Sequence, residues 1–433
     1  MKVGFVSLGC NKNLVVTECL IGMFKSHNYE IENDPSRADI IVINTCGFID
    51  EAKNEAIETI LEMADYKKGK CKYLIVIGCL VTRYKKNLIK ELPEVDLFIS
   101  IREYKKMWNL INNLINKKEE NDLLDYHKRY ITTGNNMAYL KIAEGCSNCC
   151  AYCAIPMIQG KYVSRNYEDI ISEAKELALK GYREIVVIAQ DTTKYGIDLY
   201  GKPRLSELLN DICKIDSIKW VRFLYAYPES IDDELINTVK NNEKICNYFD
   251  IPIQHINDNV LKNMNRSTDS KTIKNLIKKL RKEIKDVVIR TTLIAGFPGE
   301  TDEEFDELCD FVSEYKIDKL GCFAFSKENG TKASRMDNQI NSSIKKKRKN
   351  KIMEIQQDIS REIMNNKIGK TYEVLLEDFT DDLEYFIGRS YMDAPEADGV
   401  IYVKYDEKYG LNEFVNVKIT NSNEYDLVGQ IVD

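Results

Sequence analysis

The chain has 433 residues, 44% of them hydrophobic and 30% charged, with a net charge of −7. This composition is ordinary for globular protein, the length suits roughly three domains, and no apolar run reaches the ~18 residues a membrane span needs. Thirteen cysteines against three histidines, an odd and uneven set behind an N-terminus (MKVGFVSLGC) that reads as a strand rather than a signal peptide, exclude a disulfide framework and point to reduced thiols in the cytoplasm, some of them metal-bound.

Residues 1–116 alternate apolar runs at 2–8, 38–45, 72–78 and 95–100 with amphipathic stretches such as 13–25 and 51–66. Continuous β-branched runs alternating with helices predict an open parallel sheet in an α/β domain. The polar segment 117–136 reads as a linker, with room for an embedded strand. From 137 to 340 the alternation restarts, with strands at 137–143, 184–190, 219–226, 248–254, 287–295 and 319–325. Six βα units are too few for a closed eight-unit barrel, so a partial (β/α)6 barrel or an open sheet is expected. KKKRKNK at 345–351 opens a helical connector spanning 341–369. Such a run is ordinarily a solvated helix face, with nucleic-acid contact the sharper alternative. Residues 370–433 switch to short strands separated by Asp, Gly and Asn turns, the pattern of a small OB-like all-β barrel.

Charge is uneven along the chain. Residues 371–433 carry 15 acidic and 4 basic groups, a balance of −11, which leaves the first 370 residues with 58 basic and 54 acidic groups. An acidic barrel repels phosphate backbones and suits a basic partner.

The densest cysteine cluster is EGCSNCCAYC, with Cys146, Cys149, Cys150 and Cys153 directly after the first strand of the second domain. As two CxxC pairs it resembles half of a zinc ribbon, although adjacent Cys149 and Cys150 would strain one tetrahedral site. As Cys146, Cys150 and Cys153, with Tyr152 before the last, it leaves one iron of a four-iron–four-sulfur cluster without a protein ligand and open to chelation. That spacing is the signature of radical S-adenosylmethionine enzymes, and Cys149 is then a bystander. Cys10, Cys46 and Cys79 each stand just past a predicted strand, where ligands of open parallel sheets collect. They form a second candidate metal set, against the plainer reading of three packed thiols. Cys19, Cys71, Cys213, Cys246, Cys309 and Cys322 lack such placement and read as core. Further cofactor contacts are expected at Tyr152 and around the later strand ends: Gln190 with Asp191, Gln254 with His255 (equally a satisfied rim histidine), Arg290 within the fifth strand, and Gly296 in GFPGE, where backbone could approach a cofactor or simply turn.

Together these residues resemble the radical S-adenosylmethionine methylthiotransferases, which join an N-terminal methylthiotransferase domain, a radical domain and a C-terminal TRAM domain. The likeness spans essentially the whole chain. The contexts SLGCNKNLV, NTCGFIDEA and VIGCL match the family's second cluster site at Cys10, Cys46 and Cys79, and Ser164, Arg165 and Arg290 also look like family positions. AQDTTKYGIDLYG, LYAYPESI and GRSYMDAPEADGVIYV resemble the RimO-type branch, which modifies an aspartate β-carbon of ribosomal protein S-twelve, rather than the transfer-RNA-modifying MiaB type. Departures are Asn11 where Pro is usual, Val16-Thr17 for an Asp-Ser pair, and Gln159 for an Arg.

The resemblance implies two four-iron clusters, S-adenosylmethionine, and an electron donor such as flavodoxin or ferredoxin, with no membrane and no stable nucleic-acid partner. The acidic tail agrees with a basic protein substrate, and Asp393, Glu396 and Asp398 are expected to project from one loop toward it. A transfer-RNA methylthiotransferase and a non-catalytic zinc- and RNA-binding module are the competing readings.

Overall fold

The computed structural model describes residues 1–118, 122–134 and 136–432; part of the expected linker, 119–121 and 135, lies outside the described residues. The N-terminal sheet contains β1 (Lys2–Ser7), β2 (Glu30–Ile31), β3 (Ile40–Thr45), β4 (Tyr73–Gly78) and β5 (Leu97–Ser100), in the order β2-β1-β3-β4-β5 with every pairing parallel. It is covered by α1 (Asn11–Ser26), α2 (Asp50–Asp65), α3 (Cys79–Glu91) and α4 (Met107–Asn116). Leu20, Phe24, Trp108 and Ile111 pack on one side of it and Ala56, Ile60, Met63 and Leu88 on the other. A sheet buried on both faces favours a continuous apolar run, hence IIVI at 40–43 in β3.

The central domain comprises β6 (Met137–Lys141), the hairpin β7 (Ala143–Glu144) and β8 (Val163–Ser164) around α5 (Ile155–Ile158), then α6 (Tyr167–Leu179), β9 (Glu184–Ile188), α7 (Ile197–Tyr200), α8 (Leu205–Cys213), β10 (Trp220–Phe223), α9 (Asp233–Asn241), β11 (Tyr248–Asp250), α10 (Asp258–Asn263), α11 (Ser270–Glu283), β12 (Val288–Ala295), α12 (Asp302–Tyr315) and β13 (Lys319–Ala324). Its parallel strands form two arrays, β10-β9-β6 and β11-β12-β13, joined through a parallel bridge between Val221 and Ile245. This is the partial barrel expected of six βα units. Two-residue strands such as β2, β7 and β8 are too short to show a period and went unforeseen.

Successive strand residues face opposite ways. Ala138, Leu140, Ile185, Val187, Phe223 and Phe249 join the core under the helices. Their neighbours Tyr139, Glu184, Arg222, Tyr248, Arg290 and Lys319 are polar and engage the tail domain.

That tail follows α13 (Ser342–Asn365) and is a closed barrel, β14 (Thr371–Phe379), β15 (Tyr385–Ser390), β16 (Ile401–Lys404), β18 (Leu427–Ile431) and β17 (Phe414–Ser422) in spatial order. The basic run opening α13 is divided: Lys345 and Arg348 are buried, while Lys346 and Lys347 are exposed.

The loop expected to project toward a partner does something else. Asp393 is buried and receives Lys319 at 2.9 Å, Asp398 accepts from the Tyr248 hydroxyl at 2.6 Å, and exposed Glu396 accepts from Tyr139 at 3.2 Å. Burial pushes the Asp393 carboxyl up, but Lys319 and Ser390 outweigh it and hold it below its ordinary range. The loop is therefore a dock, because the polar amino-terminal halves of the barrel strands need counter-charges. Acid counts along a sequence do not separate paired carboxylates from free ones.

The segment read as a linker is also a dock. Arg129 is buried between Glu18 of α1 (3.5 Å) and Glu173 of α6 (3.3 Å), and no strand occurs in the described part of the segment.

At the centre of the tail dock, fully buried Glu184 accepts from Arg222 Nε at 2.9 Å and from Arg389 Nη2 at 2.7 Å. Glu184→Ala leaves two buried guanidiniums short of a counter-charge, at a cost of about 3–5 kcal/mol. Trp220 lies 4.8 Å from Phe414 of the tail, so in a Trp108→Phe background its fluorescence follows undocking. The Glu184→Ala transition is expected at clearly lower denaturant; an unchanged midpoint would contradict this account of the dock.

Candidate metal centres

The loop after β6 is pinned before it presents any thiol. Gly145 has φ +70°, and a Cβ there would stand 2.1 Å from the Lys161 carbonyl oxygen, so the chain crosses itself at a position only glycine fits. The β7–β8 pairing closes the crossing, and the Cys146 amide donates to the Gly160 carbonyl at 3.2 Å. Beyond it Cys146 and Cys150 are buried and Cys153 half-buried, whereas Cys149, at φ +53°, is exposed. The structure thus separates the adjacent pair: Cys149 turns to solvent and Cys150 inward.

Around Cys150 stand the Tyr227 hydroxyl, 3.8 Å from Sγ, and Arg266, whose Nη1 also donates to Sγ at 3.8 Å. The Ile155 amide donates to Cys153 Sγ at 3.4 Å. Burial pushes the Cys146 thiol up to about 11 and raises that of Cys153 further. These thiols hold their protons until a metal displaces them.

The second set forms at the carboxyl ends of β1, β3 and β4. Cys10 caps α1, Cys46 follows β3, and Cys79 opens α3 behind Gly78, at φ +107°. The Cys10 and Cys46 loops touch: a Cβ on Gly9 would lie 2.6 Å from that of Cys46. Asn13 ties all three together. Its Nδ2 donates to the Leu8 and Thr45 carbonyls, each at 3.2 Å, and its Oδ1 accepts from Cys79 Sγ at 3.8 Å. Burial raises the Cys46 and Cys79 thiols as well, reinforced at Cys79 by the other two cysteines. Sequence reading missed Asn13; its only signal is a polar residue three positions into a helix that begins at a cysteine.

The two sets meet across the domain boundary. Cys79 packs against Ala154 and Ile158, the residues that follow Cys153. Beside Cys10, Lys12 lies 3.2 Å from the centre of the Tyr225 ring. A third contact is ionic: buried Glu328 of the central domain receives Arg83 at 2.7 Å and Lys53 at 3.0 Å, and the same Arg83 nitrogen donates to the Gly47 carbonyl next to Cys46. Among the described residues no three His, Cys, Asp or Glu side chains close around a single ion. Thiolates that each take a separate iron of a cluster need no such cage, and soft sulfur donors suit iron–sulfur chemistry.

Other expected site residues fall in three places. Tyr152 packs beside Ala151 and Met264 behind the cysteine loop. Gln190 donates to Gln159 at 3.0 Å, so the departure at 159 has a partner, and buried Asp191 accepts from Asn148 at 2.8 Å. His255 is fully buried, takes the Asn257 amide on Nδ1, and is held neutral by burial.

Two further expected residues are engaged by other parts of the chain. Arg290 is engaged by Asp250 at 3.0 Å and faces Asp398 of the tail at 3.6 Å, so its charge is committed to the dock. The room beside Gly296 belongs to Lys345 of α13, whose Cγ would lie 2.5 Å from an added Cβ, so this glycine lets α13 pack close. Ser164 and Arg165 are likewise committed, to Asp198 and to Glu173 and Asp169.

Comparison with known proteins covers every domain. Residues 2–100 match the uncharacterized protein family UPF0004, 140–312 the radical SAM superfamily, and 368–432 the TRAM domain. The chain is 60% identical over 435 residues to the ribosomal protein uS12 methylthiotransferase RimO of Alkaliphilus oremlandii, covering 100% of this chain and 99% of that one. It is 50% identical to the protein of the same name from a Thermoanaerobacter species, with 99% of each covered. Among solved structures, the radical S-adenosylmethionine methyltransferase TsrM of Kitasatospora setae superposes with a TM-score of 0.55 at 12% identity, over 74% of this chain and 72% of that one, a likeness of fold alone. The chain belongs to the RimO family of radical S-adenosylmethionine methylthiotransferases.

Proposed function

We propose that this protein adds a methylthio group to an aspartate side chain of ribosomal protein uS12, with Cys146, Cys150 and Cys153 holding the cluster that binds S-adenosylmethionine and Cys10, Cys46 and Cys79 holding a second four-iron cluster. One observation carries the assignment of roles: two sets of three thiols, on different domains, adjoin where Cys79 packs on Ala154 and Ile158. An aspartate β-methylene is beyond the reach of any side-chain base, and the two clusters with S-adenosylmethionine supply the hydrogen-abstracting and sulfur-donating chemistry that the chain lacks.

The chain's own contribution is placement. Gly145 and the β7–β8 hairpin fix the Cys146 loop, Asn13 fixes the Cys10, Cys46 and Cys79 loops, and the Glu328 ion pairs fix one domain against the other. Misplacing either set by an ångström would part the target carbon from one of the two centres. Cys146 and Cys150 are buried, which limits the access of water to their sulfurs. A small reducing protein such as a flavodoxin or ferredoxin supplies the electrons in the cytoplasm. No helix among the described residues is long and apolar enough to cross a membrane.

Recognition of the basic substrate falls to a different acidic surface from the one read in the sequence. The turn between β14 and β15 exposes Asp381, Asp382 and Glu384, the end of β14 adds exposed Asp378 and the loop after β16 exposed Glu407. These carboxylates are exposed and could steer a cationic protein, and the −11 balance of the tail disfavours transfer RNA.

Two experiments test the reading. In anaerobically reconstituted enzyme, Cys149→Ala is expected to keep S-adenosylmethionine cleavage and Cys150→Ala to abolish it. The Cys10/Cys46/Cys79→Ala variant keeps cleavage, loses methylthio transfer and carries about half the iron. Equal losses at 149 and 150, or full iron in the triple variant, would overturn the assignment. Separately, Asp381/Asp382/Glu384→Lys is expected to slow modification of purified uS12 by about tenfold at low salt, with the difference closing at 1 M salt, where the screening length is about 3 Å. An undiminished rate at low salt, or methylthio addition to transfer RNA instead of uS12, would reject this recognition surface.

A further inference from the structure

Among the described residues five arginines are buried: Arg129, Arg222, Arg266, Arg348 and Arg389. Four of them are paired with carboxylates: Arg129 with Glu18 and Glu173, Arg222 and Arg389 with Glu184, and Arg348 with Glu300. Arg266 is the exception. Among the described residues no carboxylate lies within ion-pair distance of it. Its guanidinium instead stacks 4.3 Å from the centre of the Tyr227 ring, donates from Nη2 to the Pro252 carbonyl at 3.0 Å, and donates from Nη1 to Cys150 Sγ at 3.8 Å. Its buried Nε has no hydrogen-bond partner.

A buried cation without an anion costs several kcal/mol. An arginine is charged at any working pH; Glu229 attracts it only from beyond ion-pair distance, so the close counter-charge has to come from whatever Arg266 faces. The group it faces is a thiol that becomes a thiolate on binding iron. Neither the Tyr227 ring nor the Pro252 carbonyl supplies a full negative charge, and Tyr227 also places its own hydroxyl 3.8 Å from the same sulfur.

We propose that Arg266 is an electrostatic positioning residue for the radical cluster: its counter-ion is the Cys150 thiolate and the cluster behind it, and its charge raises the cluster's reduction potential. The inference rests on the assignment of Cys150 as a cluster ligand. Taking up one electron adds one negative charge to the cluster, and a fixed cation against a ligand sulfur favours that reduced form. Hydrogen bonds to cluster sulfurs and net local charge are established determinants of iron–sulfur potentials. The electron itself comes from the external one-electron donor, and Arg266 changes only how easily it is accepted.

The test is a potentiometric titration of the reconstituted full-length enzyme, followed by electron paramagnetic resonance in the signal that changes when S-adenosylmethionine is added. Arg266→Gln removes the charge at nearly constant size. It is expected to lower the ratio of reduced to oxidised cluster about tenfold at a fixed solution potential, equivalent to about 59 mV for a one-electron couple. Arg266→Lys keeps the charge and is expected to stay on the wild-type side of that shift. In the iron-free state Arg266→Gln is expected to melt no lower than wild type, because a cation lacking its anion is no strut.

A wild-type midpoint in Arg266→Gln would overturn the proposal. So would loss of the cluster from both variants with a lowered melting temperature in the iron-free state, which would make the arginine a purely structural brace. If Arg266→Gln alone fails to hold iron while Arg266→Lys retains it with a wild-type midpoint, the charge requirement stands. Absence of any signal responsive to S-adenosylmethionine in the wild type would instead defeat the underlying assignment of Cys150.

Discussion

In the proposed reaction two sets of thiols carried by different domains have to serve one carbon, and the boundary between those domains determines whether they do. Glu328 is the centre of that boundary. It is 2% exposed and receives Lys53 and Arg83 from the N-terminal domain, and Arg83 passes the restraint on to the carbonyl of Gly47, next to Cys46. Buried ion pairs add little net stability relative to apolar packing, but breaking one is costly. Such a contact therefore serves to select a single arrangement of two domains. Hydrophobic contact between Cys79 and Ala154 alone could slide; a carboxylate held by two cations, one of them anchored to a cluster loop, is far harder to displace.

The tail domain follows the same physics at the opposite end of the half barrel. A six-stranded open barrel leaves its interior without the layers of side chains that fill a closed one. Here the inward residues of its strands include Tyr139, Glu184, Arg222, Tyr248, Arg290 and Lys319, and the tail supplies Arg389 from β15 and Asp393, Glu396 and Asp398 from the loop after it to meet them. The N-terminal domain closes the carboxyl ends of the strands and the tail closes their amino ends. The acidity of the tail is consequently divided between docking and display, with the β14–β15 turn left to face solvent.

Legibility from sequence followed locality. The βα alternation, the all-β tail and the three-then-two cysteine spacing are short-range patterns, and the architecture agrees with the first two. The convergence of Cys10, Cys46 and Cys79 was legible because a parallel sheet gathers its strand ends at one edge. Contacts joining distant segments left no comparable trace. Asn13 reaching Thr45 and Cys79, Arg83 reaching Glu328, and Arg266 reaching Cys150 each connect residues that only the fold brings together. Asp393 and Asp398 were misread for the same reason, since a loop rich in acids looks exposed until its partners on β11 and β13 are known. Gly296 was ambiguous in sequence because a turn glycine and a ligand-approach glycine are identical until the neighbouring atom, here Lys345, is seen.

The central claim is that two separate clusters lie side by side across the domain boundary, and the spin–spin interaction between them tests it most directly. Electron paramagnetic resonance of the fully reduced, reconstituted enzyme should be compared with the sum of spectra from two variants, each retaining only one set of three cysteines. Neighbouring paramagnets broaden each other's signals and relax faster, so the wild-type spectrum is expected to depart from that sum in both line width and power saturation. A wild-type spectrum that equals the sum, with both clusters present at full iron content, would place the two centres too far apart to act on one carbon and would contradict the account.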